Sequence, residues 1–204
     1  AFEGRVHPLQ LALDVQGAMG DGDWLVIDGG NTHFWSEIAV NIAGFQGKKL
    51  GGILHPGTFS LLGVGVSFAV SAKNVDPNRN VVLISGDGAF LSGGLSIEAA
   101  FQENRPIVVV IDNNGGLDCI SQQQERLFAS GTHYATDFRD IPFHAMFEGL
   151  GGHGELVTRR EDIIPAVQRA MASGKTACVN VKVKGVISPI VLATTSKRDK
   201  ASIE

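Results

Sequence analysis

Short, continuous apolar runs alternate along the chain with segments of helical spacing, and this alternation limits the possible folds more than any other feature. The apolar runs predict strands over 24–28, 80–88, 106–114, 154–157 and 176–184. The segments between them predict helices over 8–19, 61–73, 97–104, 121–130, 143–151 and 161–173. Apolar runs without polar alternation are typical of strands that are buried on both faces. We therefore predict an α/β fold in which a parallel sheet carries helices on both faces.

The length and composition fit one globular domain. The chain has 204 residues, of which 44% are hydrophobic and 19% are charged. We predict one domain over 1–187 and a polar tail over 188–204 that could fold over a site in an assembled protein. The first ten residues look like a linker that enters a domain and not like a signal peptide.

The charge and the cysteines disfavour several classes of protein. The net charge is -4 and no run of Lys or Arg precedes the tail, so we expect neither nucleic acid nor an anionic membrane as a partner. No apolar run reaches the roughly 18 residues that a membrane-spanning helix needs. Cys119 and Cys178 lie far apart and match no metal-ligand spacing, which favours a reducing, cytoplasmic compartment.

Two polar motifs follow consecutive predicted strands, with one predicted helix between them. Asp87 lies in a Gly-Asp-Gly motif after one strand, and Asn114 ends an Asn-Asn pair after the next. Ligands of such sheets bind at the carboxyl ends of the strands, where these two residues can meet. Their side chains offer hard oxygen ligands that suit Mg²⁺ bound through phosphates. The N–H groups of Gly88 and Ala89, which open the following helix, can face phosphate oxygens. Each motif alone is more often a simple turn or loop, but together they predict a metal–diphosphate site.

The two motifs, with 24 residues between Gly88 and Asn113, resemble the signature that binds thiamine diphosphate (ThDP). The resemblance covers roughly residues 7–184 and is to the C-terminal, diphosphate-binding domain of enzymes such as acetolactate synthase, oxalyl-CoA decarboxylase and 2-hydroxyacyl-CoA lyase. It implies that the Asp87 and Asn114 side chains and the Gly116 carbonyl hold a Mg²⁺ that bridges the two phosphates. The residues that it implies for cofactor binding are Asn31, Thr32, Ser60, Leu62, Gly86, Asp87, Gly88, Ala89, Phe90, Asn114, Gly116 and Leu117.

Two further segments carry the resemblance. DGGNTHFW (28–35) resembles a strand-end loop from which a polar pair reaches the diphosphate, although many acetolactate synthase-like members have Gln-His where this chain has Asn31 and Thr32. GTFSLLGVG (57–65) resembles the segment that cradles the aminopyrimidine ring. The resemblance implies that Leu62 lies beneath the cofactor and forces its bent shape. It also implies that the Ser60 carbonyl accepts a bond from the cofactor's amino group; many relatives have Gly at that point, so Ser60 is a departure.

The candidates for the reacting end of the cofactor are Leu62, Ser60, Cys119 and His55. No activating base accompanies Cys119, so this thiol is interpreted as a lining group of the pocket and not as a nucleophile. His55 precedes the pyrimidine-side segment and is a candidate acid–base group that faces substrate; the alternative is a histidine outside the site.

No residue of the chain corresponds to the glutamate that protonates the pyrimidine ring in this family, and neither Glu98 nor Glu125 is a candidate for it. In the family that glutamate lies on a separate pyrimidine-binding domain, usually across a subunit interface. The resemblance therefore implies a partner domain or subunit, in a hetero- or homo-oligomer.

The implied function is that of a ThDP- and Mg²⁺-dependent lyase, decarboxylase or carboligase that acts on a 2-hydroxyacyl-CoA or a 2-oxo acid. The Asn31-Thr32 pair and the 57–65 and 86–98 segments look most like oxalyl-CoA decarboxylase and 2-hydroxyacyl-CoA lyase, whereas 117–128 looks more like acetolactate synthase.

Two other classes are disfavoured. A dinucleotide-binding oxidoreductase would need a G-x-G-x-x-G that opens a helix after the first strand, whereas Gly63-x-Gly65 is predicted to lie inside an apolar helix. A degenerate, non-catalytic subunit that binds the cofactor or a partner structurally is disfavoured by the intact Asp87 and Asn114 pair.

Overall fold

The computed structural model describes residues 5–128 and 130–195. Six strands form a sheet in the order β2-β1-β3-β4-β6-β5, and every neighbouring pair is parallel. The strands are β1 Trp24–Ile27, β2 Gly52–Leu54, β3 Val81–Gly86, β4 Val108–Asn113, β5 His153–Val157 and β6 Ala177–Lys182. The predicted α/β architecture with a parallel sheet is confirmed.

Helices cover both faces of this sheet. They are α1 Pro8–Ala18, α2 Asn31–Phe45, α3 Gly65–Val75, α4 Asp87–Gly93, α5 Glu98–Gln102, α6 Asp118–Leu127, α7 Phe143–Gly149, α8 Ile163–Ala172 and α9 Pro189–Thr195. Short 3-10 turns lie at Gly57–Phe59, Gly94–Ile97 and Arg160–Asp162. Within the described part of the chain, no helix combines the length and the apolarity that crossing a bilayer requires.

The alternation of side chains along the central strands divides the core into two clusters. Val108 and Val110 of β4 pack with α1 and α8 on one face of the sheet. Val109 and Ile111 of the same strand pack with α3, α5 and α7 on the other. Successive residues of a strand point to opposite faces, so residues 108–111 must all be apolar to fill both clusters. That requirement explains the continuous apolar run in the sequence.

Two elements in the first third of the chain were not predicted from the sequence. The segment 28–35 was interpreted as a strand-end loop, but α2 begins at Asn31, directly after Gly30, and no side chain caps it. The strand β2 has only three residues and carries no β-branched run. Both lack the local signals on which sequence interpretation depends, since the packing of α2 against α1 and the pairing of β2 with β1 are tertiary contacts.

The helix predicted over 61–73 begins later than expected. Gly63 has a φ of +87°, a conformation that a right-handed helix does not contain, and α3 begins at Gly65. The prediction that Gly63-x-Gly65 lies inside a helix was therefore wrong. The two glycines form the turn that leads into the helix.

The predicted domain boundary and tail remain predictions. The residues 189–195 of the predicted tail form α9, in which Val191 is buried. The rest of the tail, 196–204, and residues 1–4 of the predicted linker lie outside the described residues.

Candidate functional site

Three adjacent strands deliver acidic side chains to one edge of the sheet. Asp28 follows β1, Asp87 follows β3, and Asp112 lies near the end of β4. All three are buried, with exposed fractions of 0%, 3% and 3%. Because β1, β3 and β4 are neighbours and parallel, these carboxyl groups collect at the carboxyl ends of the strands. This is the edge at which sheets of this kind bind ligands.

The Asp87 carboxylate is held by three backbone amides. Gly88 N–H donates to Oδ1 at 2.7 Å, and Gly115 N–H and Gly116 N–H donate to Oδ2 at 2.7 and 3.1 Å. These bonds fix the carboxylate between the start of α4 and the loop that follows β4. The Gly88 amide, which was expected to face phosphate, is directed to this acid.

The Asn114 side chain meets Asp87 at one backbone group. Gly116 N–H lies 3.1 Å from Asn114 Oδ1 and 3.1 Å from Asp87 Oδ2, so the two oxygens lie around a single point. The preceding Asn113 is directed elsewhere, because its Nδ2 donates to Asn180 Oδ1 of β6 at 2.9 Å. The structure therefore brings together Asp87, Asn114 and Gly116, the three residues predicted as metal ligands.

Burial raises the pKa values of two of these acids. Desolvation raises the pKa of Asp87 from 3.8 to about 6, although its three backbone hydrogen bonds act in the opposite direction. Desolvation also raises the pKa of Asp112 to about 7, and the neighbouring charge of Asp87 adds to the shift. Asp87 and Asp112 therefore resist carrying two negative charges side by side. A bound cation would offset this repulsion, so the site favours cation binding.

Asp112 was missed by the sequence interpretation, although it is tied to a predicted residue. Thr32 Oγ1 donates to Asp112 Oδ2 at 2.8 Å, while the buried Asp112 Oδ1 has no hydrogen-bond partner in the part of the chain that the structure describes. Thr32 lies in the first turn of α2, so this bond fixes the start of that helix against β4. The sequence signal that could have identified Asp112 is an acid at the end of a continuous apolar run.

Asp28, which was also missed, positions the turn before α3. Its Oδ1 accepts from the N–H groups of Gly29 and Gly63 at 2.9 Å each, and its Oδ2 accepts from Ser85 Oγ at 2.9 Å. This acid thus connects the end of β1 to the 60–63 turn and to β3. Its hydrogen bonds serve the geometry of the site, and it does not line the cavity described below.

The 57–62 segment packs directly on the glycine pair that follows β1. A Cβ on Gly29 would lie 2.2 Å from the carbonyl oxygens of Ser60 and Leu61, a distance that no side chain tolerates. Gly30 N–H donates to the Ser60 hydroxyl at 2.8 Å and to its carbonyl at 3.2 Å. Ser60 adopts a left-handed conformation with a φ of 46°, and Leu62 remains 39% exposed.

A cavity of about 250 Å³ lies between these elements, at the carboxyl ends of β1, β3 and β4. Eleven of the twelve residues predicted to bind cofactor line it; these are Asn31, Thr32, Ser60, Leu62, Gly86, Asp87, Gly88, Ala89, Asn114, Gly116 and Leu117. Phe90 is the exception, since its ring packs in the core against Phe143 and Phe147 with centroids 5.7 and 5.8 Å apart. These eleven residues lie up to 86 positions apart in the chain, and the sequence prediction assigned all of them to one pocket.

The Asn31 side chain is occupied by the chain itself. Its Nδ2 donates to the Val186 carbonyl, and its Oδ1 accepts from Ser188 N–H at 2.8 Å. Trp35 Nε1 donates to the same Val186 carbonyl at 2.9 Å. Asn31 therefore fixes the segment that follows β6 at the wall of the cavity.

The two remaining catalytic candidates are placed differently. Cys119 lines the cavity and accepts from Gln123 Nε2 at 3.5 Å, and burial raises the pKa of its thiol, which keeps it protonated near neutral pH. His55 does not line the cavity; its Nδ1 lies 3.0 Å from Nε2 of His33.

Comparisons with known proteins agree with this geometry. Residues 28–181 match the family described as thiamine pyrophosphate enzyme, C-terminal TPP binding domain. A probable acetolactate synthase of Mycobacterium bovis is 34% identical over 178 residues, which are 86% of this chain and 31% of that protein. A 2-hydroxyacyl-CoA lyase 2 of Danio rerio is 28% identical over 186 residues, which are 88% of this chain and 28% of that protein.

A solved structure shows the same fold. The thiamine diphosphate-dependent 4-hydroxybenzoylformate decarboxylase of Rhodococcus jostii superposes with a TM-score of 0.73 at 26% identity, over 90% of this chain and 34% of that one. The chain thus spans about a third of the length of the proteins that it matches. The matched family, the shared fold and the acid–amide pair at the strand ends together confirm the predicted resemblance, and the chain belongs to the C-terminal thiamine pyrophosphate-binding domains of the thiamine pyrophosphate enzymes.

Proposed function

We propose that this chain supplies the diphosphate-binding half of the active site of a ThDP- and Mg²⁺-dependent lyase or carboligase, which acts on a 2-hydroxyacyl-CoA or a 2-oxo acid. The observation that carries the proposal is the convergence of Asp87 Oδ2 and Asn114 Oδ1 on one backbone amide, at the mouth of a cavity formed by strand ends. A hard cation selects oxygen ligands, and a carboxylate oxygen beside an amide oxygen supplies two of them.

The donor set fits magnesium. One carboxylate and one amide oxygen are hard ligands, and the Gly116 carbonyl would be the third from the protein. Mg²⁺ keeps several positions for water and phosphate oxygens, so three protein ligands leave room for both phosphates of the cofactor. The carboxylate is already oriented by three amides, which lowers the cost of ordering it on binding.

The pyrimidine side fits the cofactor as well. The Ser60 carbonyl accepts one bond from Gly30 N–H and has a second lone pair for the amino group of the pyrimidine. Leu62 lines the cavity and is fixed against Gly30, whose added Cβ would lie 2.9 Å from Leu62 Cδ2. When bound, ThDP supplies a carbanion that attacks a carbonyl and an electron sink while a C–C bond breaks or forms.

The residues of this chain bind, orient and exclude water. Asp87, Asn114 and Gly116 would neutralise the phosphates through the metal, and Leu62 would support the ring system in its bent shape. Ile120, Cys119 and Leu62 line the cavity with apolar groups, which would limit the access of water to the reacting end of the cofactor. The proton transfer at the pyrimidine would come from a glutamate on a pyrimidine-binding domain or subunit, in the same protein or in an oligomeric partner.

A second candidate is an acetolactate synthase-like reaction, the joining of 2-oxo acids. The identity of 34% to the mycobacterial protein exceeds the 28% to the 2-hydroxyacyl-CoA lyase 2 of Danio rerio, and this difference supports it. The two unpaired cysteines support the cytoplasm as the compartment in either case.

The proposal is tested with the full-length natural protein by calorimetry and by turnover. We expect ThDP to bind with Mg²⁺ and to lose its affinity in excess chelator, because the phosphates and Asp87 would otherwise face each other without a cation. Panels of 2-hydroxyacyl-CoA thioesters and 2-oxo acids then separate the two reactions by product. Binding that is equally tight in chelator would contradict the metal assignment, and binding without turnover on either panel would favour a non-catalytic role.

A further inference from the structure

Two histidines and a glutamate outside the cofactor cavity each bring one nitrogen or oxygen atom into a cluster whose members lie within 3.8 Å of one another. His33 Nε2 lies 3.0 Å from Glu37 Oε1 and 3.0 Å from His55 Nδ1, and the glutamate oxygen lies 3.8 Å from His55 Nδ1. His33 and Glu37 are four residues apart on α2 and therefore share one face of that helix. His55 comes from the segment that follows β2. The three residues are contributed by two elements that are distant in the sequence.

The separations match the geometry of a small transition-metal ion. A tetrahedral ion with bonds of about 2.0–2.1 Å keeps its ligand atoms about 3.3 Å apart. The distances of 3.0, 3.0 and 3.8 Å lie on both sides of that value. The centre of such a triangle is about 1.9 Å from each corner, which leaves space for an ion just outside the plane of the three atoms, at bonding distance. Three protein ligands would leave a fourth position towards solvent, because Glu37 and His55 are each more than a third exposed.

The surroundings orient both rings for metal binding. His33 Nδ1 lies 3.1 Å from Ser60 Oγ, so the hydroxyl can accept a hydrogen bond from Nδ1–H in the tautomer that leaves Nε2 unprotonated. Gly57 N–H donates to His55 Nδ1 at 3.3 Å, the hydrogen bond of an unprotonated nitrogen, and a bound ion would replace this bond. Burial lowers the pKa of His33 and favours its neutral, ligating form. A second partner that fixes the tautomer is the usual companion of a metal-bound histidine.

We propose that His33, Glu37 and His55 form a binding site for a transition-metal dication such as Zn²⁺, separate from the Mg²⁺ position at Asp87. Two imidazoles and one carboxylate suit zinc better than magnesium, which selects oxygen ligands. The bound ion would connect the segment before Ser60 to α2. It would therefore hold the turn that carries Ser60 and Leu62 against the glycine pair. The distances within this site do not depend on the proposed reaction of the cofactor.

The test uses the full-length protein, freed of metal and titrated with Zn²⁺, and with Co²⁺ as a spectroscopic probe, in excess Mg²⁺. We expect one tight equivalent of Zn²⁺ and the visible absorption of a tetrahedral Co²⁺ centre. His55→Ala and Glu37→Gln, both at half-exposed positions, should weaken Zn²⁺ binding at least 100-fold. Ser60→Ala should weaken it about 10- to 100-fold, as removal of an outer partner does.

Two matched variants separate this site from other metal binding. His153→Ala removes a histidine that pairs with Glu155 alone, at 2.8 Å, and should leave Zn²⁺ affinity unchanged. Asp87→Ala should also leave it unchanged, since the Mg²⁺ position lies elsewhere. Zn²⁺ affinity that is the same in wild type and His55→Ala would overturn the proposal, and so would loss of the tight equivalent in Asp87→Ala.

Discussion

Replacing Asp87 with asparagine should abolish the binding of metal and cofactor and leave the metal-free protein at least as stable as the wild type. The variant keeps the size of the side chain and removes its charge. The pKa of Asp87 is raised from 3.8 to about 6, and one pKa unit corresponds to about 1.4 kcal/mol, so the charged form costs about 3 kcal/mol of stability at pH 7. Asparagine does not carry this cost.

The lost hydrogen bonds act in the other direction. Asparagine has one acceptor oxygen, which can serve Gly115 and Gly116, and its amide group then faces the Gly88 N–H. One buried amide without a partner costs about 1–3 kcal/mol. The balance predicts a metal-free variant between equal to the wild type and about 2 kcal/mol more stable at pH 7.

Urea unfolding of the purified protein measures both effects. In chelator the variant should match or exceed the wild type. With Mg²⁺ present and ThDP at 100 times its Kd, the wild type should gain about 2.7 kcal/mol and the variant nothing. Asp23→Asn is the control, because this buried acid precedes β1 and accepts from Gly20 N–H and the Asn80 side chain at the opposite edge of the sheet. Asp23→Asn should be less stable than the wild type both in chelator and with Mg²⁺ and ThDP, and it should keep the full gain of about 2.7 kcal/mol from the cofactor. The reasoning is refuted if Asp87→Asn keeps this gain too.

Three further predictions concern the same site. Because a metal ligand must be ionised, the affinity for ThDP and Mg²⁺ should fall about tenfold per pH unit below pH 6 and stay level above it in calorimetry. In the metal-free protein, the stability that Asp87 contributes should be complete below about pH 4 and lost as the pH rises through 6, since its pKa is raised on folding; unfolding midpoints that do not change between pH 4 and 7 would contradict this. Gly29→Ala should destabilise the protein by about 1–3 kcal/mol or more and weaken ThDP binding, because its Cβ would meet backbone oxygens at 2.2 Å. Gly149→Ala, at the end of α7 with nothing within 4 Å, should be neutral or slightly stabilising in the same denaturation assay.

The strands and the metal pair could be predicted because their signals are local. The first four residues of β3 and of β4 are all apolar, and Asp87 and Asn114 each directly follow one of these strands. The fold then needs only to make these strands neighbours, which the single helical connection between the motifs favours. Gly88 and Ala89 were also predicted from the pattern, at the start of the following helix, whereas the other predicted cavity residues came from the family resemblance.

The elements that were missed depend on contacts between distant segments. The three residues of β2 gain their structure from pairing with β1. His55 meets His33 only because β2 and α2 are both placed beside β1. The sequence shows that His33 and Glu37 are four residues apart. This spacing places them on one face only if the segment is a helix, and α2 was not predicted. Such a cluster could not be predicted before the fold.

The three acids at the strand ends share one sequence pattern and differ in what surrounds them. Each ends an apolar run, so the pattern alone gives them the same role. Asp28 accepts from Gly29 and from the turn before α3 with one oxygen and from Ser85 of β3 with the other. Asp112 accepts from Thr32 with one oxygen, and its other oxygen has no hydrogen-bond partner among the described residues. Of the three, Asp87 lines the cavity. Burial raises the pKa values of Asp87 and Asp112 together, and the charge of Asp87 adds to the shift of Asp112. A dication at Asp87 would favour the ionised form of both groups, so metal binding should release protons near pH 6–7, where the metal-free protein still holds them.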